Sequence, residues 1–151
     1  MKRSVNVHKG EATAGCGEII LKSDVRDTSC FCIIARDAAH KIGALAHALF
    51  IHGGAKEKKD PLLNKEARQA IDKMLSNMTL LGAQPKDIEV EMIASENVRH
   101  DDPDQDFEEE VRCICDVLKE RHIKCREHIV QDIGAHHAAL DVETGKIFLE
   151  D

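Results

Sequence analysis

The sequence predicts an α+β fold in which mixed and antiparallel β-sheets stack like a sandwich and are covered by two main helices. Three observations carry this expectation. Two continuous apolar runs, opening at Cys30 and at Ile42, are separated by a short polar break at 36–41, the pattern of an antiparallel hairpin buried on both faces. Leu63, Ala67, Ala70, Ile71, Met74, Leu75 and Met78 recur at helical spacing between Asp60-Pro61 and Gly82. Residues 88–93 alternate Ile, Val and Met with Glu89 and Glu91, as a half-exposed strand does, and a second amphipathic helix follows.

In chain order, residues 5–8 read as a short strand, and Gly10-Glu11 with the small residues up to Gly17 as a loop. Ile19, Ile20 and Leu21 form a second strand. Residues 22–29 are too polar for a core, and they lead directly into the buried hairpin. Residues 53–59 are a basic, glycine-containing loop. Asp60 is a natural N-cap with proline at the first helical position, and Gly82 stops the helix. After the strand at 88–93 comes an acidic break at 101–104. Asp106 then caps a helix whose first turn holds Glu108, Glu109 and Glu110, where the helix dipole favours negative charge, with Phe107, Val111, Ile114 and Leu118 as its apolar face. A strand at 123–130, a turn at 132–134 and a final hairpin of 138–142 with 147–149 complete a β-β-β-β-α-β-α-β-β-β order.

With 151 residues and 42% apolar content, one domain spanning 1–151 with one core is expected. Trp and Tyr are absent and only four Phe are present, so aliphatic residues and Met must fill that core. The formal charge is −7, from 21 basic against 28 acidic side chains, and no basic cluster outweighs its surroundings; nucleic acid is therefore not an expected partner. No apolar run approaches the about 20 residues of a membrane helix, and residues 1–7 lack a signal-peptide apolar stretch. The chain is expected in the cytoplasm, without membrane insertion.

Six cysteines and nine histidines invite a disulfide or metal reading, which spacing decides. A reducing compartment disfavours disulfides. Zinc sites show C-x2-4-C knuckles or H-x3-5-H pairs, whereas this chain has two C-x-C pairs far apart and the adjacent His136-His137, so no metal and no cofactor is expected. Cys113 and Cys115 point apart on a helix and read as small packed residues, as do Cys16 and Cys125.

Cys30 and His47 stand apart from these. Cys30 closes the polar segment and opens a buried strand, and His47 lies on the next run. Pairing about a loop at 36–41 sets Cys30 opposite His47, within reach of a thiol–imidazole hydrogen bond. Such a pair can supply a nucleophile and a proton shuttle. A buried thiol beside a core histidine bonded to a carbonyl fits the spacing as well. Cys32, on the same face but deeper in the run, reads as packed and inert.

Thr28-Ser29-Cys30-Phe31-Cys32-Ile33, followed by Gly43-Ala44-Leu45-Ala46-His47-Ala48-Leu49-Phe50, resembles the CheD chemoreceptor glutamine deamidases, whose G-S-C nucleophile segment precedes a G-x-x-x-H segment carrying the base. Gly10-Glu11, Leu80-Leu81-Gly82-Ala83 and Asp141-Val142-Glu143-Thr144-Gly145-Lys146-Ile147 also have counterparts, so the resemblance covers nearly the whole chain. It implies a CheD-like cysteine hydrolase fold and a protein-glutamine deamidase, and possible glutamyl methylesterase activity, in chemotaxis adaptation. Its substrates would be the cytoplasmic helices of chemoreceptors, and a CheC-type phosphatase is an implied partner. Cys30 is then the nucleophile and His47 the base. Asp24, or alternatively Ser23, orients the imidazole where the family usually has threonine, and Thr28 and Ser29 belong to the substrate and oxyanion segment. The chain departs from the family where Arg26 and Thr28 replace loop glycines, at Ile93-Ala94-Ser95-Glu96, and at Gly134-Ala135-His136. These departures leave a second reading, a CheD-like binding module that docks on a receptor without turning it over.

Overall fold

The computed structural model describes residues 2–25, 30–48, 61–96, 107–131 and 137–150. Thr28, Ser29, Asp60, Asp106 and His136, all singled out above, lie outside the described residues. The predicted hairpin is the centre of a five-stranded sheet ordered β2-β5-β4-β6-β7. In it β4 (Cys30–Asp37) pairs antiparallel with both β5 (Ile42–Ala48) and β6 (Ile88–Glu96), β2 (Ala12–Cys16) pairs antiparallel with β5, and β7 (Cys125–Gln131) runs parallel to β6. A four-stranded sheet ordered β1-β3-β8-β9 lies against it, built from β1 (Arg3–Asn6), β3 (Ile19–Asp24), β8 (His137–Asp141) and β9 (Ile147–Glu150). Both sheets are mixed and open, and two helices, α1 (Pro61–Leu80) and α2 (Phe107–Glu120), complete the α+β architecture.

The alternation of β4 and β5 distributes their side chains to two cores. Phe31, Ile33, Ala35, Ala44, Ala46 and Ala48 pack with Ile71, Met74 and Met78 of α1 and Ile114, Val117 and Leu118 of α2. Cys32, Ile34 and Leu45 face the other sheet, meeting Leu21, Val25, Leu140 and Val142. The hairpin is thus buried on both faces, as its continuous apolar runs predict. Small residues let the layers approach: a Cβ at Gly43 would lie 2.9 Å from Leu140 Cδ2. Methionines fill the irregular space under α1, as the scarcity of aromatics requires.

Two expectations are corrected. Residues 12–16, read as a loop because Ala-Thr-Ala-Gly-Cys has little strand propensity, form β2, whose main chain satisfies the otherwise open edge of β5. Its last residue, Cys16, is exposed rather than packed. The hairpin loop is also shorter than 36–41. Arg36 and Asp37 continue β4, opposite Gly43 and Ile42, and the turn comprises Ala38 to Lys41. Tertiary contacts draw the pair into the strand: Arg36 Nε donates to Val142 O at 3.1 Å and a terminal guanidinium nitrogen to Glu143 O at 2.7 Å, while the Asp37 carboxylate is buried. The register therefore moves by two, and His47 faces Cys32 instead of Cys30.

The Asp141-to-Lys146 motif is the β8–β9 turn that Arg36 clamps. Its Gly145 has φ +80°, and a Cβ there would lie 2.8 Å from the guanidinium carbon of Arg36. Gly145→Ala is expected to cost at least about 1–2 kcal/mol from backbone strain alone, read as a lower midpoint in denaturant unfolding. An unchanged midpoint would show that the turn relaxes freely.

Candidate active site

The site is assembled on His47 by three chain segments. Ile19, Leu21 and Ser23 alternate onto the buried face of β3, which carries the Ser23 hydroxyl into the space between the sheets, where it is only 2% exposed. There its oxygen lies 2.7 Å from His47 Nδ1 and 2.6 Å from the carbonyl oxygen of Val7. A hydroxyl has a single proton, and the Val7 carbonyl can only accept, so Ser23 donates to Val7. The Nδ1 atom must then carry a hydrogen and donate it to Ser23 Oγ. Neutral His47 is thereby held as the Nδ1–H tautomer, which leaves the Nε2 lone pair available as a base.

The main chain is fastened equally firmly. His47 N–H donates to Glu11 O at 3.0 Å, and Gly10 N–H donates to His47 O at 2.8 Å. Gly10 can make this turn because it adopts φ +84°, and Glu11 Oε1 accepts the N–H of His8 at 2.9 Å. The Gly10-Glu11 pair noted in the sequence is thus a clamp on the histidine strand. Burial is the main cause that pushes the imidazole down to about 4; Lys9 in the clamping turn lowers it further, and Asp24 acts in the opposite direction. At neutral pH His47 is uncharged.

The sequence-predicted residues fall unequally around this imidazole. Ser23, the alternative orienting residue, makes the contact that was expected first of Asp24. Asp24 is exposed because it follows Ser23 on an alternating strand, and its carboxylate acts on His47 through its field. Cys32 is directly opposite His47 in the sheet register and fully buried. Cys30 is the first residue of β4, paired with Ser95 of β6 and two positions along the strand from Cys32. Its backbone is diagonal to His47, a relation that typically spans about 7–8 Å. Three other thiols are poorly suited to attack. Burial, with a hydrogen bond to Glu127, pushes Cys115 up to about 12; burial pushes Cys125 up to about 11, and Cys113 is raised for the same first cause. His137 joins no group of metal-capable side chains among the described residues.

The sequence reading missed the Val7 carbonyl and the clamp at 8–11. The parity of Ile19, Leu21 and Ser23 on one strand was the available signal for preferring Ser23 over Asp24.

No family model matches the chain. Over 142 residues it is 24% identical to a protein of Chlorobium luteolum described as a probable chemoreceptor glutamine deamidase CheD; the match takes in 93% of this chain and 69% of that protein. Among the described residues, no helix is long and apolar enough to cross a membrane.

Proposed function

We propose that the chain is a CheD-like, cysteine-dependent protein-glutamine deamidase whose substrates are glutamine side chains on chemoreceptor cytoplasmic helices. The observation that carries this reading is the buried Val7–Ser23–His47 relay, which holds His47 Nδ1 protonated and leaves Nε2 basic, on the strand paired with β4. The similarity to a probable chemoreceptor glutamine deamidase supplies the reaction class.

In this mechanism the Cys30 thiol attacks the carboxamide carbon as its proton passes to His47 Nε2. The resting pair is neutral, because an imidazole pushed to about 4 does not hold a proton at pH 7; proton transfer accompanies attack rather than preceding it. Backbone N–H groups at Ser29 and Cys30, with Thr28 beside them, stabilise the oxyanion. His47 returns the proton to the departing ammonia. Water, activated by the same Nε2, then cleaves the thioester, leaving a glutamate side chain on the receptor and regenerating the thiol. A glutamyl methyl ester would follow the same course with methanol as leaving group. Ser23 acts through His47 as a positioning residue, and the Asp24 carboxylate favours the transient imidazolium through space.

Mass spectrometry of a receptor cytoplasmic fragment tests the proposal. Incubation with the native chain is expected to give the mass gain of deamidation at particular glutamines, and its absence at every glutamine would overturn the reading. Ser23→Ala is expected to lower kcat by roughly tenfold, the loss of about one buried hydrogen bond to the base, with little change in KM. Ser23→Thr should restore most of it, and a variant with unchanged kcat would remove Ser23 from the mechanism.

A further inference from the structure

The hydrogen bonds around His47 continue past Val7 to the surface. The carbonyl that accepts the Ser23 hydroxyl at 2.6 Å belongs to the peptide group joining Val7 to His8, and the N–H of that same group donates to Glu11 Oε1 at 2.9 Å. A trans peptide group is planar, with its C=O and N–H pointing in opposite directions, so whatever holds the N–H also aims the C=O. The Glu11 carboxylate, the Val7–His8 peptide, the Ser23 hydroxyl and the His47 imidazole, whose Nδ1 lies 2.7 Å from Ser23 Oγ, thus form one relay. Every hydrogen in it points the same way, from imidazole toward carboxylate, so each bond polarises the next.

The outer end of this relay is seated by main-chain bonds as well as by the carboxylate. Val7 N–H donates to Lys22 O at 2.7 Å, which fixes the segment beside Ser23, and Glu11 N–H donates to His8 O at 2.9 Å, closing the turn. Glu11 O accepts the His47 N–H at 3.0 Å, so one residue holds the main chain of His47 and, through its side chain, the acceptor that serves the ring. That acceptor matters because the Ser23 hydroxyl has one proton and two places to send it. Given to Val7 O, it obliges His47 Nδ1 to carry hydrogen and leaves Nε2 basic. Given to Nδ1, it moves the imidazole hydrogen to Nε2, and the base is lost. A Val7 carbonyl aimed at Ser23, and polarised by a carboxylate on the N–H of its own peptide group, favours the first arrangement.

We propose that Glu11 is a positioning residue for His47, acting through the Val7–His8 peptide group and Ser23 to select the Nδ1–H tautomer. Glu11 is exposed while His47 is buried, so its influence reaches the imidazole along the hydrogen-bonded relay. When Nε2 takes up a proton, the same line of dipoles turns its negative end toward Nδ1 and stabilises the imidazolium. This consequence for turnover rests on the deamidase reading; the selection of the tautomer does not.

Nitrogen NMR of the isotope-labelled full chain near neutral pH reads the tautomer from the shifts of the two imidazole nitrogens, with the His47 signals identified by their loss in His47→Gln. The native chain is expected to hold His47 as the Nδ1–H form. Glu11→Ala should populate the Nε2–H form and lower kcat for glutamine deamidation by about fivefold with KM little changed, the usual worth of one hydrogen bond. Glu11→Gln, whose amide oxygen still accepts the His8 N–H, should restore the native tautomer. A merely structural role would lower the denaturant midpoint of Glu11→Ala and leave the tautomer of the folded chain unmoved; that result overturns the proposal, as does an Nε2–H tautomer in the native chain. A tautomer shift in Glu11→Ala, in a protein that deamidates no receptor glutamine, upholds the proposal and removes the deamidase reading instead.

Discussion

Cys30→Ala is expected to abolish glutamine deamidation, whereas Cys32→Ala should retain most of it and instead reduce stability. The two cysteines occupy the same strand two residues apart, but their positions ask for different chemistry. Cys32 pairs with His47 across the sheet and is fully buried in the core it shares with Leu21, Leu45, Ile93 and Leu140, closed to a substrate carboxamide arriving from solvent. Cys30 opens the strand, adjoining the polar segment that leads into it. Removing a nucleophile eliminates the covalent route altogether, while truncating a buried thiol creates a small cavity costing on the order of 1 kcal/mol. His47→Ala should lower activity by roughly 10²–10⁴-fold, the usual worth of a positioned general base. Mass spectrometry of the receptor fragment, run beside denaturant melts of all three variants, separates these outcomes. If Cys32→Ala is the inactive variant and Cys30→Ala the active one, the assignment of the nucleophile reverses. If both remain active, neither Cys30 nor Cys32 is the required nucleophile.

The second large effect concerns pH. An exposed histidine would lose its basic lone pair as pH falls through about 6.5. His47 is pushed down to about 4, chiefly by burial, so the base remains unprotonated and the acid limb of the kcat profile should fall near pH 4 rather than near 6.5. The same shift acts on stability. Because the folded-state value lies below the unfolded one, the unfolded chain takes up the proton first. The contribution of neutral His47 is fully present above about pH 6.5 and is lost progressively as pH falls toward 4. A shift of this size corresponds to roughly 3 kcal/mol over that window. Denaturant melts between pH 7 and pH 4 should show this slope in the native chain and a shallower one in His47→Gln. Equal slopes would mean that the imidazole protonates readily in the folded state. An acid limb near 6.5 would mean that substrate binding leaves His47 open to water.

Much of this architecture is legible in the chain itself, because it rests on local patterns. Helical spacing from Leu63 to Met78 between a proline start and a glycine stop specifies α1, and Gly82, at φ +106°, ends it as expected. The unbroken apolar runs of β4 and β5 announce burial on both faces. Cysteine spacing argues against the familiar zinc patterns, and the final hairpin follows from its turn chemistry. The sequence also singles out His47, an imidazole flanked by alanines in the most apolar part of the chain.

Register and partners were decided elsewhere. Whether Arg36 and Asp37 belong to loop or strand depends on Val142, Glu143 and Gln84, residues distant in the chain, and that choice sets which cysteine faces His47. Strand β2 exists because the edge of β5 needs hydrogen bonds, a requirement absent from its own five small residues. Ser23 rather than Asp24 holds the imidazole because a neighbouring sheet covers one face of β3 and leaves the other to solvent. The relay from Glu11 through the Val7–His8 peptide group and Ser23 to His47 likewise joins segments with no shared sequence motif. Composition and periodicity thus determined most of the elements and drew attention to His47. Tertiary packing alone decided how they align, since a strand's hydrogen bonds and its buried face are completed by residues that its own sequence does not contain.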